Sequence, residues 1–309
     1  MSKDYARDVY GRTLIELGKK DKRVVVLDAD LSGSTRTSLF AAEFPDRFFN
    51  LGIAEQNMIA TAAGLAASSK IVFASTFAMF ATARVLDQIR NSVCYNNLNV
   101  KIVATHAGIT VGEDGASHQA LEDIAILRAI PNMQIIVPSD SEEAKSAVIA
   151  AYENDGPFYI RLGRAKVNTI EDKKDFIFKK GYALKDGKDI AIVACGVMVE
   201  QALLAADILQ SKGISAAVIN IHTIKPIDKE LIVSIAGKCP KMVVCEEHQV
   251  MGGLYSSVCE ILANECPIFV EPLGINDEFG RSGTPDSLLE FYGLTADGIV
   301  NKCEKILSK

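Results

Sequence analysis

Two interleaved patterns of apolar positions run along the chain. Short runs rich in β-branched residues recur as VVVLDAD (24–30), KIVFAS (70–75), VKIVATH (100–106), MQIIVPSD (133–140) and PFYIRL (157–162), and these read as strands. Between them apolar residues fall at helical spacing, as in Val9, Leu14, Ile15 and Leu17, and again in Val85, Leu86, Ile89 and Val93. The order strand, helix, strand predicts a parallel α/β sheet. The alternation restarts in DIAIVACG, ISAAVINI, KMVVCEE and PIFVEPL, separated by helical stretches such as VEQALLAADILQSKG, which Gly213 closes as a C-cap. The charged stretch EDKKDFIFKKGYALKDGK between the two sets suits a surface connector. The expectation is therefore an α/β protein of two domains, each a mostly parallel sheet with helices on both faces: residues 1–165, a connector over 166–188, and residues 189–309.

Length agrees, since 309 residues at roughly 150 per domain give two cores. With 39 acids against 33 bases the net charge is −6, and no run of Lys and Arg forms a stripe for a phosphate backbone, so nucleic acid and anionic membranes are not expected partners. The apolar segment after Ile53 is interrupted by Glu55, Gln56 and Asn57, and no stretch reaches the roughly 18 apolar residues of a membrane span. The start MSKDYARDVY lacks the features of a signal peptide, and the seven cysteines are odd in number without zinc or thioredoxin spacing. Both point to a cytoplasmic chain with buried thiols.

Neither G-x-G-x-x-G after a strand nor a P-loop is present. The loop SGSTRTS (32–38) has the composition of a phosphate cradle and equally of a strand-to-helix turn. More chemistry is concentrated in THAGITVGEDGASHQALED (105–123), which leaves the carboxyl end of a strand, the edge where open α/β sheets bind ligands. It holds His106, Asp114 and His118, half of the chain's four histidines; read as a plain turn it would have solvated acids and Ser117 as a helix cap. Glu55 opens a helix of small residues, LGIAEQNMIATAAGLAA (51–67), suited to close packing against another subunit. An acid there is ordinarily placed for the helix dipole, but apolar surroundings at a buried interface would raise its pKa.

The runs LGIAEQNM, STFAMFATARVLDQIR, HAGITVGEDGASHQALEDIA, TIKPID and EEHQVMGGL together resemble transketolases, in order and over nearly all 309 residues, specifically their pyrimidine-binding and carboxy-terminal domains. The diphosphate-binding domain with its Gly-Asp-Gly to Asn metal motif has no counterpart in the sequence, so the resemblance implies the second subunit of a split transketolase. It implies thiamine diphosphate as cofactor and Mg or Ca as metal, with ligands on an N-terminal diphosphate-binding partner subunit, self-association through the pyrimidine domain, and sugar phosphates as substrates. It assigns Glu55 to the glutamate that hydrogen-bonds the aminopyrimidine and favours its imino tautomer, Phe77 and Phe80 to aromatics holding that ring, and Asp30 to a cofactor-proximal aspartate. A third aromatic of some transketolases falls at Ala83. His106 and His118 correspond to histidines near the substrate, Asp114 to an aspartate that reads a sugar hydroxyl, and Arg7, Ser34 and Arg164 to groups that bind the substrate phosphate. The resemblance gives His248 and His222 no catalytic part; they read as packing or hydrogen-bonding residues. Nearest rivals are 1-deoxyxylulose-5-phosphate synthase and the beta subunit of a 2-oxo acid dehydrogenase, against which GEDGASHQ and YIRLGR favour transketolase, and a non-catalytic partner of the same fold.

Overall fold

The computed structural model describes residues 3–171 and 173–308; Asp172, in the connector, lies outside them. The strands expected from the pattern form two sheets. Across the first the order is Thr223–Lys225, Gln134–Ile136, Phe158–Arg161, Val100–Thr105, Ile71–Phe77, Val24–Asp28 and Phe48–Asn50. All neighbours are parallel except the first pair. Alternate residues of one strand serve different cores. Val24 and Val26 pack with Tyr10 and Leu14 of the helix Ala6–Lys20 and with Val148 of the helix Ser141–Glu153. Val25 and Leu27 join the opposite face with Met58 and Ile59 of the helix Glu55–Ala67. Burial on both faces explains why these segments read as unbroken apolar runs.

The second sheet has the order Phe269–Ile275, Lys241–Gln249, Ile190–Ala194, Ala216–Asn220, Tyr182–Lys185, parallel apart from the last strand. Helices Met198–Ser211 and Ala296–Leu307 cover one face, sharing a core with Ile190 and Ile192. Lys229–Lys238 and Leu254–Glu265 cover the other and share a core with Ala191 and Val193. That core is continuous with the first sheet, through residues such as Ile135, Val137, Ile221 and Ile224.

Three features differ from the pattern. The connector carries structure: Val167–Asn168 pairs with Lys3–Asp4, and Tyr182–Lys185 is the edge strand of the second sheet. Thr223–Lys225, beyond the connector, joins the first sheet instead of the second. Such short pairings leave no periodic apolar trace. The apolar spacing from Val85 to Val93 marks no regular α-helix but a 3₁₀ turn, Ala83–Val85, followed by a π-helical segment, Gln88–Cys94, which still buries Val85, Ile89 and Val93. All seven cysteines are free, five of them buried, and burial pushes the Cys94 thiol up to about 12, leaving it inert. Among the described residues no helix is long and apolar enough to cross a membrane.

Candidate active site

Strands of the first sheet end together at one edge, and the loops leaving them are shaped by buried polar groups. Val24–Asp28 ends in a fully buried carboxylate. Asp28 accepts from the Leu31 N–H at 2.6 Å, the Thr35 hydroxyl at 2.7 Å and the Thr37 hydroxyl at 2.8 Å, folding SGSTRTS into a turn with a short helical piece, Ser32–Thr35. Burial raises its carboxyl above the usual range, and these three donors oppose that rise. Ser34 is thereby presented next to Arg7, whose Nη1 donates to the Ser34 carbonyl at 3.3 Å. Asp30, held at φ 64°, is exposed and pairs with Asn50 instead of with the other candidates.

Phe77 ends the next strand and Phe80 follows in a short helix. Their rings stack with centroids 5.8 Å apart, and His106, after Val100–Thr105, also stacks with Phe77 at 3.8 Å. His118 meets Phe80 edge-on at 5.4 Å. His106 is buried, and burial together with Arg7, Arg164 and His118 pushes its pKa down to about 3, so its ring is neutral. Arg7 Nη1 lies 3.5 Å from His106 Nε2 and Thr105 Oγ1 lies 2.9 Å from Nδ1. A guanidinium can only donate, so Nε2 is the acceptor and the proton sits on Nδ1, directed at Thr105. Arg7 Nε is buried with no partner among the described residues, a donor left unspent beside this ring.

Glu55 opens its helix as expected and is buried, with 6% exposure. Its surroundings are not purely apolar, however. Arg84 Nη1 donates to Glu55 Oε1 at 2.8 Å, and the same guanidinium lies 4.0 Å from the centre of the Phe80 ring. Ala83, where some transketolases carry an aromatic, is exposed. The small residues of the helix divide: Ala62 and Ala63 face the chain's own core, while Ala60 and Gly64 face outward.

The loop after His106 is irregular. Ser117 does not cap a helix, since the next one begins at Asp123, and its hydroxyl instead lies 3.0 Å from His118 Nδ1. Arg164 pairs with Glu113 at 3.2 Å and approaches Asp114 at 4.0 Å. The loop is gripped by groups that the sequence reading missed. Glu247 Oε1 accepts from the Thr110 N–H at 2.7 Å, and its carboxylate lies so close to Gly108 that a Cβ there would fall 2.2 Å from it. Gln119 Nε2 donates to the Ile109 carbonyl at 3.2 Å and across to the Arg281 carbonyl at 2.9 Å. Below the loop, buried Arg161 donates to Asp123 at 2.8 Å and to the Glu247 carbonyl at 3.0 Å. The available signal was charge inside an apolar run: Arg161 in PFYIRL and Glu246 and Glu247 in KMVVCEE have to be paired if buried. His248 and His222 belong to the fold. His248 is fully buried with Nδ1 2.6 Å from the Gln249 carbonyl, and His222 stacks on Phe176 at 4.2 Å.

The structure thus joins Arg7, Ser34, His106, Phe77, Phe80 and His118 by contact, Arg164 to Asp114, and Glu55 to Phe80 through Arg84, leaving Asp30 to one side. Residues 4–169 match the transketolase pyrimidine binding domain and residues 179–299 the transketolase C-terminal domain. The chain belongs to the transketolase family. It is 52% identical to a protein of Methanocaldococcus jannaschii named as a transketolase C-terminal section, over 98% of this chain and 96% of that one. The 6-deoxy-6-sulfo-D-fructose transketolase subunit SqwH of a Clostridium species is 41% identical over 100% of this chain and 96% of its own. The solved structure of a split gene transketolase, an inactive beta4 tetramer, superposes with a TM-score of 0.91 at 51% identity, covering 98% of both chains.

Proposed function

We propose that this chain is the pyrimidine-binding and C-terminal half of a thiamine diphosphate-dependent transketolase, which transfers a two-carbon ketol unit from a ketose phosphate to an aldose phosphate. The observation that carries this reading is one continuous row of flat groups: Arg84, Phe80, Phe77, His106 and Arg7, with the Glu55 carboxylate at one end and the Ser34 turn at the other. A pyrimidine needs a flat apolar face and an acid at its edge, and Phe77, Phe80 and buried Glu55 fit it. Thiamine diphosphate, when bound, supplies the carbanion chemistry for breaking and making the carbon–carbon bond. Glu55 exchanges a proton at the edge of the pyrimidine ring. His106, His118 and Asp114 orient sugar hydroxyls. Arg7, with its unspent Nε, takes the terminal anion together with Arg164 and Ser34, a task that suits the permanent charge and planar fork of guanidinium.

Among the described residues no group of three His, Cys, Asp or Glu could hold a metal ion. The diphosphate and its Mg or Ca are assigned to an N-terminal diphosphate-binding subunit, in keeping with the split-gene relative. Self-association is assigned to the outward face of Glu55–Ala67, where a Cβ added at Gly64 meets nothing within 4 Å, and to the turn before it, where Ile53 is 78% exposed. The test is co-expression with a diphosphate-binding subunit and an assay of ketol transfer between pentose phosphates. The complex should turn over and the purified chain should be silent with weak cofactor binding. Turnover by the chain alone, or none by the complex, would overturn the assignment.

A further inference from the structure

Arg84 touches both the acid and an aromatic ring of the proposed pyrimidine pocket, Glu55 and Phe80, and neither the sequence pattern nor the family resemblance gives it a task. It stands in the 3₁₀ turn Ala83–Val85, and three contacts fix it there. Its Nη1 donates to Glu55 Oε1 at 2.8 Å, its guanidinium lies 4.0 Å from the Phe80 ring centre, and its backbone carbonyl accepts from Gln56 Nε2 at 3.0 Å. The last contact ties the turn to the first turn of the Glu55 helix, so the guanidinium is held against Glu55 by backbone as well as by charge. No other Lys, Arg or His nitrogen among the described residues lies within 4.0 Å of the Glu55 carboxylate, and of its two oxygens only Oε1 takes a hydrogen bond. Glu55 is 7% exposed by side chain and Arg84 49%, so the carboxylate is screened by protein while its counter-charge reaches solvent.

We propose that Arg84 is the positioning residue of Glu55: it grips the carboxylate through Oε1, fixes its orientation and leaves Oε2 to face the edge of the pyrimidine ring. This rests on the reading of Glu55 given above. A charge-assisted hydrogen bond from a guanidinium is strong and directional, so it fixes how the carboxylate is turned. With Arg84 in place, Oε1 is occupied and Oε2 is the carboxylate oxygen left for the ring edge. The planar fork of Arg84 allows it to stack and donate at once, which an ammonium does less well.

The experiment compares Arg84→Met, which removes the cation, with Arg84→Lys, which keeps it. In the full chain without cofactor, the Glu55 carboxyl is followed by infrared difference spectroscopy against Glu55→Gln with ¹³C-labelled glutamate. The expected result is that its carboxylate stretching bands shift in Arg84→Met and much less in Arg84→Lys, as loss of a charge-assisted hydrogen bond to Oε1 requires. In the reconstituted complex, proton exchange at carbon 2 of the thiazolium should slow about tenfold or more in Arg84→Met and recover at least in part in Arg84→Lys, with the apparent Michaelis constants for sugars unchanged. Unchanged Glu55 carboxylate bands in Arg84→Met would overturn the proposal, as would wild-type exchange in that variant. Failure of the underlying reading is separately visible: Glu55→Gln would then exchange at the wild-type rate while the infrared shift of Arg84→Met persisted.

Discussion

Glu55 and His106 sit at opposite ends of the same row of rings and should fail differently. Glu55→Gln keeps size and a hydrogen-bonding group but cannot exchange a proton, so the reconstituted enzyme should lose rate by roughly 10² to 10⁴, the range for a positioned acid or base. Carbon 2 proton exchange should slow in parallel while substrate affinity changes little. His106 is neutral, with its proton pinned on Nδ1 by Thr105 and its Nε2 beside Arg7. It is built to bind, not to shuttle protons near neutral pH. His106→Ala should therefore raise the apparent Michaelis constant for phosphorylated sugars and leave proton exchange near normal. Deuterium exchange alongside steady-state kinetics separates the two, and equal losses of exchange in both variants would refute the division.

Between elements, the decisive feature is the grip of the second domain on loop 105–123 of the first, to which the proposed sugar contacts belong. Glu247, in the strand Lys241–Gln249, holds the Thr110 N–H, and Gln119 reaches the Arg281 carbonyl. Gly108 is required on two counts: φ is +80°, and a methyl would fall 2.2 Å from the Glu247 carboxyl carbon. Gly108→Ala must displace that carboxylate or the loop. It should destabilise the fold by about 1–3 kcal/mol or more in a urea titration and raise the apparent Michaelis constant for sugars, because His106, Asp114 and His118 ride on this loop. The Glu55 end is carried by another helix, so proton exchange at carbon 2 should be spared. A variant as stable as the wild type with unchanged sugar kinetics would show that the grip has no part in placing the loop.

Across the whole molecule, assembly and pH response follow from which faces and charges are buried. Ala60 points outward, so Ala60→Arg should fold normally yet weaken self-association and, with it, the activity of the complex; sedimentation and a thermal melt on the same sample check both halves. Burial lowers the pKa of His106 from 6.5 to about 3 and of His248 from 6.5 to about 4. Below about pH 6.5 the unfolded chain takes up protons that these folded histidines refuse, so their effect is a loss of stability as pH falls. Glu246 acts with the opposite sign. Buried at the start of Leu254–Glu265, its pKa is raised from 4.5 to about 7, so the folded chain binds the extra proton between those values and gains stability as pH falls through them. Below about pH 4.5 that offset is spent, and stability should drop more steeply there than between pH 7 and 4.5. In Glu246→Gln the loss should begin nearer pH 6.5, as denaturant midpoints at graded pH would show.

Much of this protein was written in its linear pattern. Runs such as VVVLDAD and VKIVATH, mostly apolar and without strict alternation, announce strands buried on both sides, and the helix starting at Glu55 and the loop holding His106, Asp114 and His118 were visible as local composition. Local physics suffices there, because periodicity and turn chemistry act over a few residues. What the tertiary structure alone decided is pairing across distance. That Glu55 meets a guanidinium from a turn 29 residues on, that Glu247 closes on Gly108 and Thr110 from 137 residues beyond the latter, and that Thr223–Lys225 joins the first sheet leave no periodic trace in the chain. Buried charges signal only that a partner must exist; which one is set when the two cores pack, since the free energy of burying a charge depends on what the fold places within hydrogen-bonding reach.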